Sequence, residues 1–493
     1  MTTQRDGEEL RVSTGVSGLD EVLHGGLMPG RTYLVRGGPG TGKTMLGLHF
    51  LTAGARIGER ALFITVEEST AQIRKDASVL GFDLTGVRFV DLTPGSEFFT
   101  KAQSYDIFTP AEVEREPTTQ MIVKEIETVH PDRVFLEAMT QFRYLSPDAF
   151  QYHKQVLSLL RYLEERGATV LFTSEGSDVS RDEHLQFLSD GVLNLESTPM
   201  SRNVSVIKFR GSDFEAGTHS LRLTAHGMEV YPRLVPDRHS RQFTSSVVPS
   251  GIRGIDEQLH GGLERGTVTV VTGPTGVGKT TLGLSFVKEA AASGERSCIY
   301  LIEESMETMM RRSEALGIPT RSMIEGGLLS AVHVEPHRYS PDEFAHLVRQ
   351  EVEQRQARIV MLDSVAGYRL CVQGSDLTKH LHALCAYLRN MGVTVILVNE
   401  IETITGNFAA TEIGISHLAD NILFLRYLEL RGRLGRAVGV LKKRVSGFET
   451  TLREFEISPL GIHVGRPLTE LRGILTGYPE LSPTPTNNSS RAA

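Results

Sequence analysis

The chain has no tryptophan, three cysteines in 493 residues, no long apolar run and no excess of positive charge. Cys298, Cys371 and Cys385 are scattered without the spacing of a zinc site or a disulfide framework, so they read as small buried hydrophobes in a reducing compartment. No run approaches the roughly 18 apolar residues of a membrane span. Residues 1–9 are polar and acidic, unlike a secretory signal, so a cytoplasmic location is expected. Lys and Arg number 52 against 60 Asp and Glu, a net charge of −8. No global basic field exists to hold a polyanion, and nucleic-acid binding would need a local patch. Length alone suggests about three domains as a soft prior.

What is present is glycine in a specific order. Gly37-Gly38-Pro39-Gly40-Thr41-Gly42-Lys43-Thr44 fits the phosphate-loop pattern G-x-x-x-x-G-K-[ST]. The apolar Tyr33-Leu34-Val35 precedes it and a helical pattern follows over residues 45–53, which is the strand–loop–helix context the motif requires. Glycines let backbone N–H groups turn inward on phosphate oxygens, and the helix N-terminus adds its positive end. Lys43 would face the β- and γ-phosphates of ATP and Thr44 would hold Mg²⁺. A second loop spans Gly273-Pro274-Thr275-Gly276-Val277-Gly278-Lys279-Thr280. Expected nucleotide contacts are Gly38, Gly40, Thr41, Gly42, Lys43, Thr44 and Met45 in the first, and Thr275, Gly276, Val277, Gly278, Lys279, Thr280 and Thr281 in the second.

The two loops belong to an internal repeat. The block from Gly15-Val16-Ser17-Gly18-Leu19-Asp20 to Gly25-Gly26-Leu27 recurs 236 positions later, from Gly251 to Leu263, and the same offset relates Lys43 to Lys279 and Glu67 to Glu303. Three blocks in one register mean a duplicated domain. Within each copy, strands alternate with helices: strands over 61–66, 133–136 and 169–173, then 297–302, 358–362 and 394–398, separated by helices over 70–80 and 149–166, then 306–316 and 377–391. That order predicts an α/β fold, a mostly parallel sheet covered on both faces. Short alternating runs over 204–231 and 422–464 predict an antiparallel edge. The join falls within 232–247, giving domains 1–235 and 236–475 and a tail 476–493 without apolar pattern, expected to be disordered. Residues 94–117 read as a surface excursion of the first domain.

Several polar residues end the strands on the ligand-binding side of such a sheet. Glu67-Glu68 and Glu303-Glu304 follow the second strand of each copy, where a carboxylate can orient water or accept the proton of an attacking hydroxyl; a solvated acidic loop is the alternative. Asp363 follows Ile359-Val360-Met361-Leu362 as an acid of the Mg²⁺ shell should, and Glu137 takes that place after Val134-Phe135-Leu136 with one more methylene. Ser174-Glu175 and Asn399-Glu400 suit either a γ-phosphate sensor or an ordinary polar strand end. Lys208-Phe209-Arg210 and Lys442-Lys443-Arg444 could reach a neighbour's γ-phosphate, or serve as a basic sheet edge that blocks aggregation. Arg426, Arg431, Arg433 and Arg436 make the second copy's local basic patch.

Together the paired phosphate loops, the repeated Gly-Leu/Ile-Asp block, the double glutamates and the K-x-R strands resemble the circadian clock ATPase KaiC and its relatives among the RecA-like ATPases, over about residues 10–475. The resemblance implies two RecA-like domains, Mg²⁺ and ATP, and a double-ring homohexamer with ATP between subunits. It implies a base among Glu67, Glu68, Glu303 and Glu304, and action on a neighbour's nucleotide by Lys208, Arg210, Lys442 and Arg444. The KaiC family phosphorylates an adjacent Ser-Thr pair in the second domain. Gly414-Ile415-Ser416-His417-Leu418-Ala419-Asp420 is similar to that site, with Ser416 kept and His417 in place of threonine, so Ser416 is the candidate phosphoacceptor. The tail is unlike the one that binds KaiC's clock partner, so a clock role is not implied. The expected function is an ATP-hydrolysing regulatory protein with regulatory protein partners. The rivals are a RecA-like nucleic-acid motor, against which the net charge stands, and a scaffold that assembles on ATP without turnover.

Overall fold

A computed structural model of the chain describes residues 11–93, 110–145, 148–176, 182–199, 201–335, 338–371, 377–401, 415–430, 432–474 and 480–481. The chain divides into two compact units, Met1–Arg233 and Leu234–Ala493. Arg431, Gly414 and most of the tail 476–493 lie outside the described residues.

The first unit holds a nine-stranded sheet in the order β3-β2-β4-β5-β1-β6-β7-β8-β9. Its strands are β1 Thr32–Arg36, β2 Ala61–Thr65, β3 Val87–Asp91, β4 Arg133–Leu136, β5 Thr169–Ser174, β6 Gly191–Ser197, β7 Arg202–Phe209, β8 Thr218–Thr224 and β9 Gly227–Tyr231. From β3 to β6 all pairings are parallel; from β6 to β9 they are antiparallel. Strands β2, β4 and β5 are buried along their whole length, because both faces are covered. Side chains alternate between the faces. Tyr33, Val35, Phe63, Phe135 and Leu171 pack with the helix Lys43–Arg56. Leu34, Leu62, Ile64, Val134 and Phe172 pack with the helices Pro110–Val129 and Ala149–Glu164.

The second unit repeats the plan. A short β10 (Val247–Val248) pairs with β11 (Leu263–Glu264). The main strands are β12 Val268–Gly273, β13 Ser297–Leu301, β14 Leu329–His333, β15 Ile359–Asp363, β16 Thr394–Glu400, β17 Asn421–Leu430, β18 Arg433–Lys443, β19 Arg453–Ser458 and β20 Gly461–Pro467. Their order, β14-β13-β15-β16-β12-β17-β18-β19-β20, matches the first sheet strand for strand.

Three features differ from the sequence expectation. The edge strands β3 and β14 were not anticipated; they are short, and several of their residues are partly or fully exposed. The helix Pro110–Val129 takes in residues expected to be surface loop, while 94–109 lie outside the described residues. In the second unit the helix Pro341–Arg349 also went unread, although Ser340 and Glu343 close a reciprocal capping box at its start. The residues after Arg233 pack on the second unit: Asn390 Nδ2 donates to Pro236 O at 3.0 Å and Arg241 N to Asn390 O at 3.0 Å.

Candidate functional site

Each phosphate loop leaves the C-terminal end of its strand, β1 or β12, and turns into a helix, Lys43–Arg56 or Lys279–Ala292. Gly42 and Gly278 make that turn at φ 103° and 113°, a left-handed conformation that suits glycine. Their missing side chains also matter, since a Cβ on Gly278 would lie 2.4 Å from Ile457 Cδ1. Gly38 and Gly40, by contrast, face open space.

Inside the loops the polar groups close on the loop itself. Lys43 Nζ donates to Gly37 O at 2.7 Å and Gly38 O at 3.0 Å, and Thr41 Oγ1 to Gly38 O at 2.8 Å. Lys279 Nζ donates to Pro274 O at 2.9 Å. Burial lowers the affinity of both lysines for their protons. Nearby carboxylates oppose this: Glu67, Glu175 and Glu137 around Lys43, and Glu400, Asp363 and Glu303 around Lys279. Although β2 lies three places from β1 in the sheet order, Glu67 is the largest charge felt by Lys43. The paired glutamates and the phosphate loop therefore share one site in each unit.

The Thr44 hydroxyl donates to Glu137 Oε1, and Thr280 Oγ1 donates to Asp363 Oδ2 at 2.7 Å. Glu137 is 6% exposed and burial raises its pKa to about 7, with the Thr44 hydrogen bond opposing and Glu68 and Glu67 adding to the rise. Burial also raises Asp363, against the Thr280 hydroxyl and Arg312. Glu137 Oε2 is buried without a hydrogen-bond partner. A hydroxyl beside a buried carboxylate with an orphaned oxygen is an all-oxygen donor set that fits a hard cation such as Mg²⁺.

The remaining candidates divide. Glu303 Oε1 accepts from Ser364 Oγ at 2.8 Å, and Glu304 pairs with Arg312 at 2.8 Å. Burial raises the pKa of Glu68, with Asp76 and Glu67 contributing. At the sensor positions, Ser174 Oγ donates to Asp182 at 2.6 Å, which also takes a bidentate pair from Arg36 at 2.9 and 3.0 Å. Asn399 Nδ2 donates to Thr272 Oγ1 at 3.1 Å, Glu400 accepts from Thr275 Oγ1, and Gln141 reaches Glu175 at 3.4 Å.

The K-x-R residues sit at the opposite end of the parallel strands from the loop. Phe209 pairs with Gly191 and Gly191 with Tyr33, near the start of β1; Lys443 pairs with Asn421 and Asn421 with Thr269, near the start of β12. A strand of that length sets them roughly 15 Å from the loop at the other end. Lys208 Nζ donates to Gln186 O and Ser189 O; Lys442 Nζ donates to Ser416 O at 2.9 Å and Ala419 O at 2.6 Å. Arg210 and Arg444 are half-exposed, each 3.6 Å from an aspartate, Asp190 and Asp420. Ser416 lies in the 3₁₀ turn Ile415–His417 at this same end, where its carbonyl accepts from Lys442. Arg426, Arg433 and Arg436 lie on β17 and β18, where Arg436 rides 5.7 Å over the Tyr427 ring and Tyr427 OH donates to Thr275 O at 3.3 Å.

Sequence reasoning missed Asp190, Ser364, Arg312 and the Arg36–Asp182 pair. Asp190 carried a signal, since it and Asp420 each immediately precede a late strand and stand before the two K-x-R triplets. Ser364, Arg312 and Asp182 carried none, because their roles depend on how the segments after the strands fold against one another.

Two phosphate loops at the C-terminal ends of parallel strands, each with a hydroxyl–carboxylate pair and a glutamate beside its lysine, define a tandem RecA-like P-loop ATPase. The KaiC ATPase family model matches residues 12–235 and again 248–469, and the chain belongs to that family. It is 28% identical over 487 residues to the circadian clock oscillator protein KaiC of Acaryochloris marina, covering 96% of this chain and 92% of that one. The KaiC of Synechococcus elongatus is likewise 28% identical, over 484 residues and 95% and 92% of the two chains. Among the described residues no helix is long and apolar enough to cross a membrane.

Proposed function

We propose that the chain works as a Mg²⁺-dependent ATPase in a double-ring homohexamer, with ATP held between neighbouring protomers, and that the second unit also phosphorylates Ser416. The carrying observation is the placement of Arg210, Arg444 and Ser416 at the end of the parallel strands away from their own phosphate loops. A residue there is about a strand's length from its own phosphate loop and out of reach of its own nucleotide. A head-to-tail ring, in which that end of one protomer meets the next protomer's loop, brings them to a γ-phosphate.

Lys43 and Lys279 neutralise phosphate charge. Thr44 with Glu137, and Thr280 with Asp363, hold Mg²⁺, which when bound supplies charge neutralisation on the phosphates. An oxygen of water, or Ser416 Oγ, forms the new bond to the γ-phosphorus. The bond from that phosphorus to the bridging oxygen breaks, and ADP leaves with the electron pair. The proton of the attacking group passes to Glu67 in the first unit and Glu303 in the second.

The test is incubation with Mg²⁺ and γ-labelled ATP, following label on protein and as free phosphate. Label on protein that disappears in both Glu303→Gln and Ser416→Ala supports the full reading. Free phosphate with unlabelled protein leaves an ATPase and removes the autokinase. Assembly on ATP with no phosphate release overturns turnover altogether.

A further inference from the structure

The two copies differ beside the glutamate. Glu303 and Glu67 occupy equivalent positions, both exposed, after β13 and β2. Residue 364, next after the metal-side acid, is serine; its counterpart after Glu137 is Ala138, which has no hydroxyl. Ser364 is 3% exposed. Its Oγ accepts from Gly367 N–H at 3.0 Å and donates to Glu303 Oε1 at 2.8 Å. A hydroxyl has a single proton. With Gly367 N–H occupying the oxygen's acceptor side, that proton is directed at the carboxylate. Gly367 itself packs closely on the residue before Glu303: a Cβ there would stand 2.7 Å from Ile302 Cγ2. Glu67 makes no side-chain hydrogen bond to a described residue, so its carboxylate has no such tether.

We propose that Ser364 is a positioning residue that presets the Glu303 carboxylate of the second unit for proton abstraction. This rests on Glu303 being the second unit's base. An exposed glutamate samples many rotamers, and fixing one beforehand removes an ordering cost from the step in which it accepts the proton. Gly367 N–H, the Ser364 hydroxyl and Glu303 form a chain in which a buried, rigid backbone group orients a solvent-facing carboxylate.

The experiment silences the first site with Glu67→Gln and measures steady-state phosphate release from the full chain, with ATP affinity measured separately. Ser364→Ala is expected to lower kcat about tenfold, below the ~10²–10⁴ of losing the base itself, with KM and ATP affinity within about twofold. In a Glu303→Gln background Ser364→Ala should have no further effect, because a residue acting only through Glu303 has nothing left to position. An unchanged kcat, or an equal loss in both backgrounds, overturns the proposal. So does loss of ATP binding in both Ser364→Ala and Ser364→Gly, since the hydroxyl then serves the fold. If Glu303→Gln itself releases phosphate at the native rate, the assignment of the base fails first. If Glu303→Gln is inactive while Ser364→Ala is native-like, only the positioning role fails.

Discussion

Glu137 is the residue whose chemistry departs most from an ordinary surface carboxylate. Its pKa rises from 4.5 to about 7, first because it is buried. Between those values the folded protein holds a proton that the unfolded chain has released, so stability from this group is complete below about pH 4.5 and is lost as pH rises through 7. Glu137→Gln keeps the shape and stays neutral. It should therefore match native melting temperature near pH 5 and exceed it by several degrees at pH 8 in nucleotide-free protein, read as the first unit's calorimetric transition. Equal melting at both pH values would mean that the carboxyl is not held protonated. The same substitution removes an anionic oxygen from the Thr44 pair, so Mg²⁺-ATP should stabilise the first unit less in the variant than in the native chain. The identity of this acid was legible in the sequence, because it follows an apolar strand. Its burial was not, since that depends on helices brought over β4 from distant segments.

At the scale of elements, the helices after the phosphate loops lie close on their sheets because each has a glycine on its buried face. A Cβ on Gly47 would stand 2.3 Å from the Phe135 ring, and one on Gly283 would stand 2.8 Å from Met361 Cε. The aromatic ring sits among buried neighbours and cannot fold away, whereas methionine has rotatable bonds to yield. Gly47→Ala should cost about 2 kcal/mol of overpacking, net of the gain in helix propensity. Gly283→Ala should stay within about 1 kcal/mol of native for the second unit. Urea unfolding of the two variants checks this, and equal losses would sink the packing account. Neither glycine stood out in the sequence, where both read only as part of a helical pattern. Elements with strong local grammar were legible: the loops, the strands β2, β4, β5 and β15 with their apolar centres, and the helices between them. The edge strands β3 and β14 were not, because a half-buried strand at a sheet margin alternates weakly. The helix Pro110–Val129 was hidden by two prolines and a charged stretch that resemble a loop.

For the whole molecule, the duplication was the most legible property, since three motifs share one offset. The K-x-R triplets alone suggested a site shared with a neighbour. The geometric reason emerges only with the register, which sets Arg210 and Arg444 at the start of the parallel strands while the phosphate loops leave their ends. If the working site spans two protomers, two crippled chains should rescue each other. In a Glu67→Gln background that silences the first site, chains carrying Glu303→Gln and chains carrying Arg444→Ala should each release little phosphate. Mixed before ATP-driven assembly, they form rings in which about a quarter of interfaces pair an intact Glu303 with an intact Arg444 of the next protomer. Phosphate release should then recover to about a quarter of the rate of the Glu67→Gln chain alone, provided that the interfaces act independently. Mixing after assembly should give recovery only as fast as protomers exchange. A site complete within one protomer predicts the opposite result: every chain in the mixture carries one defect, so release stays at the average of the two variants however they are combined.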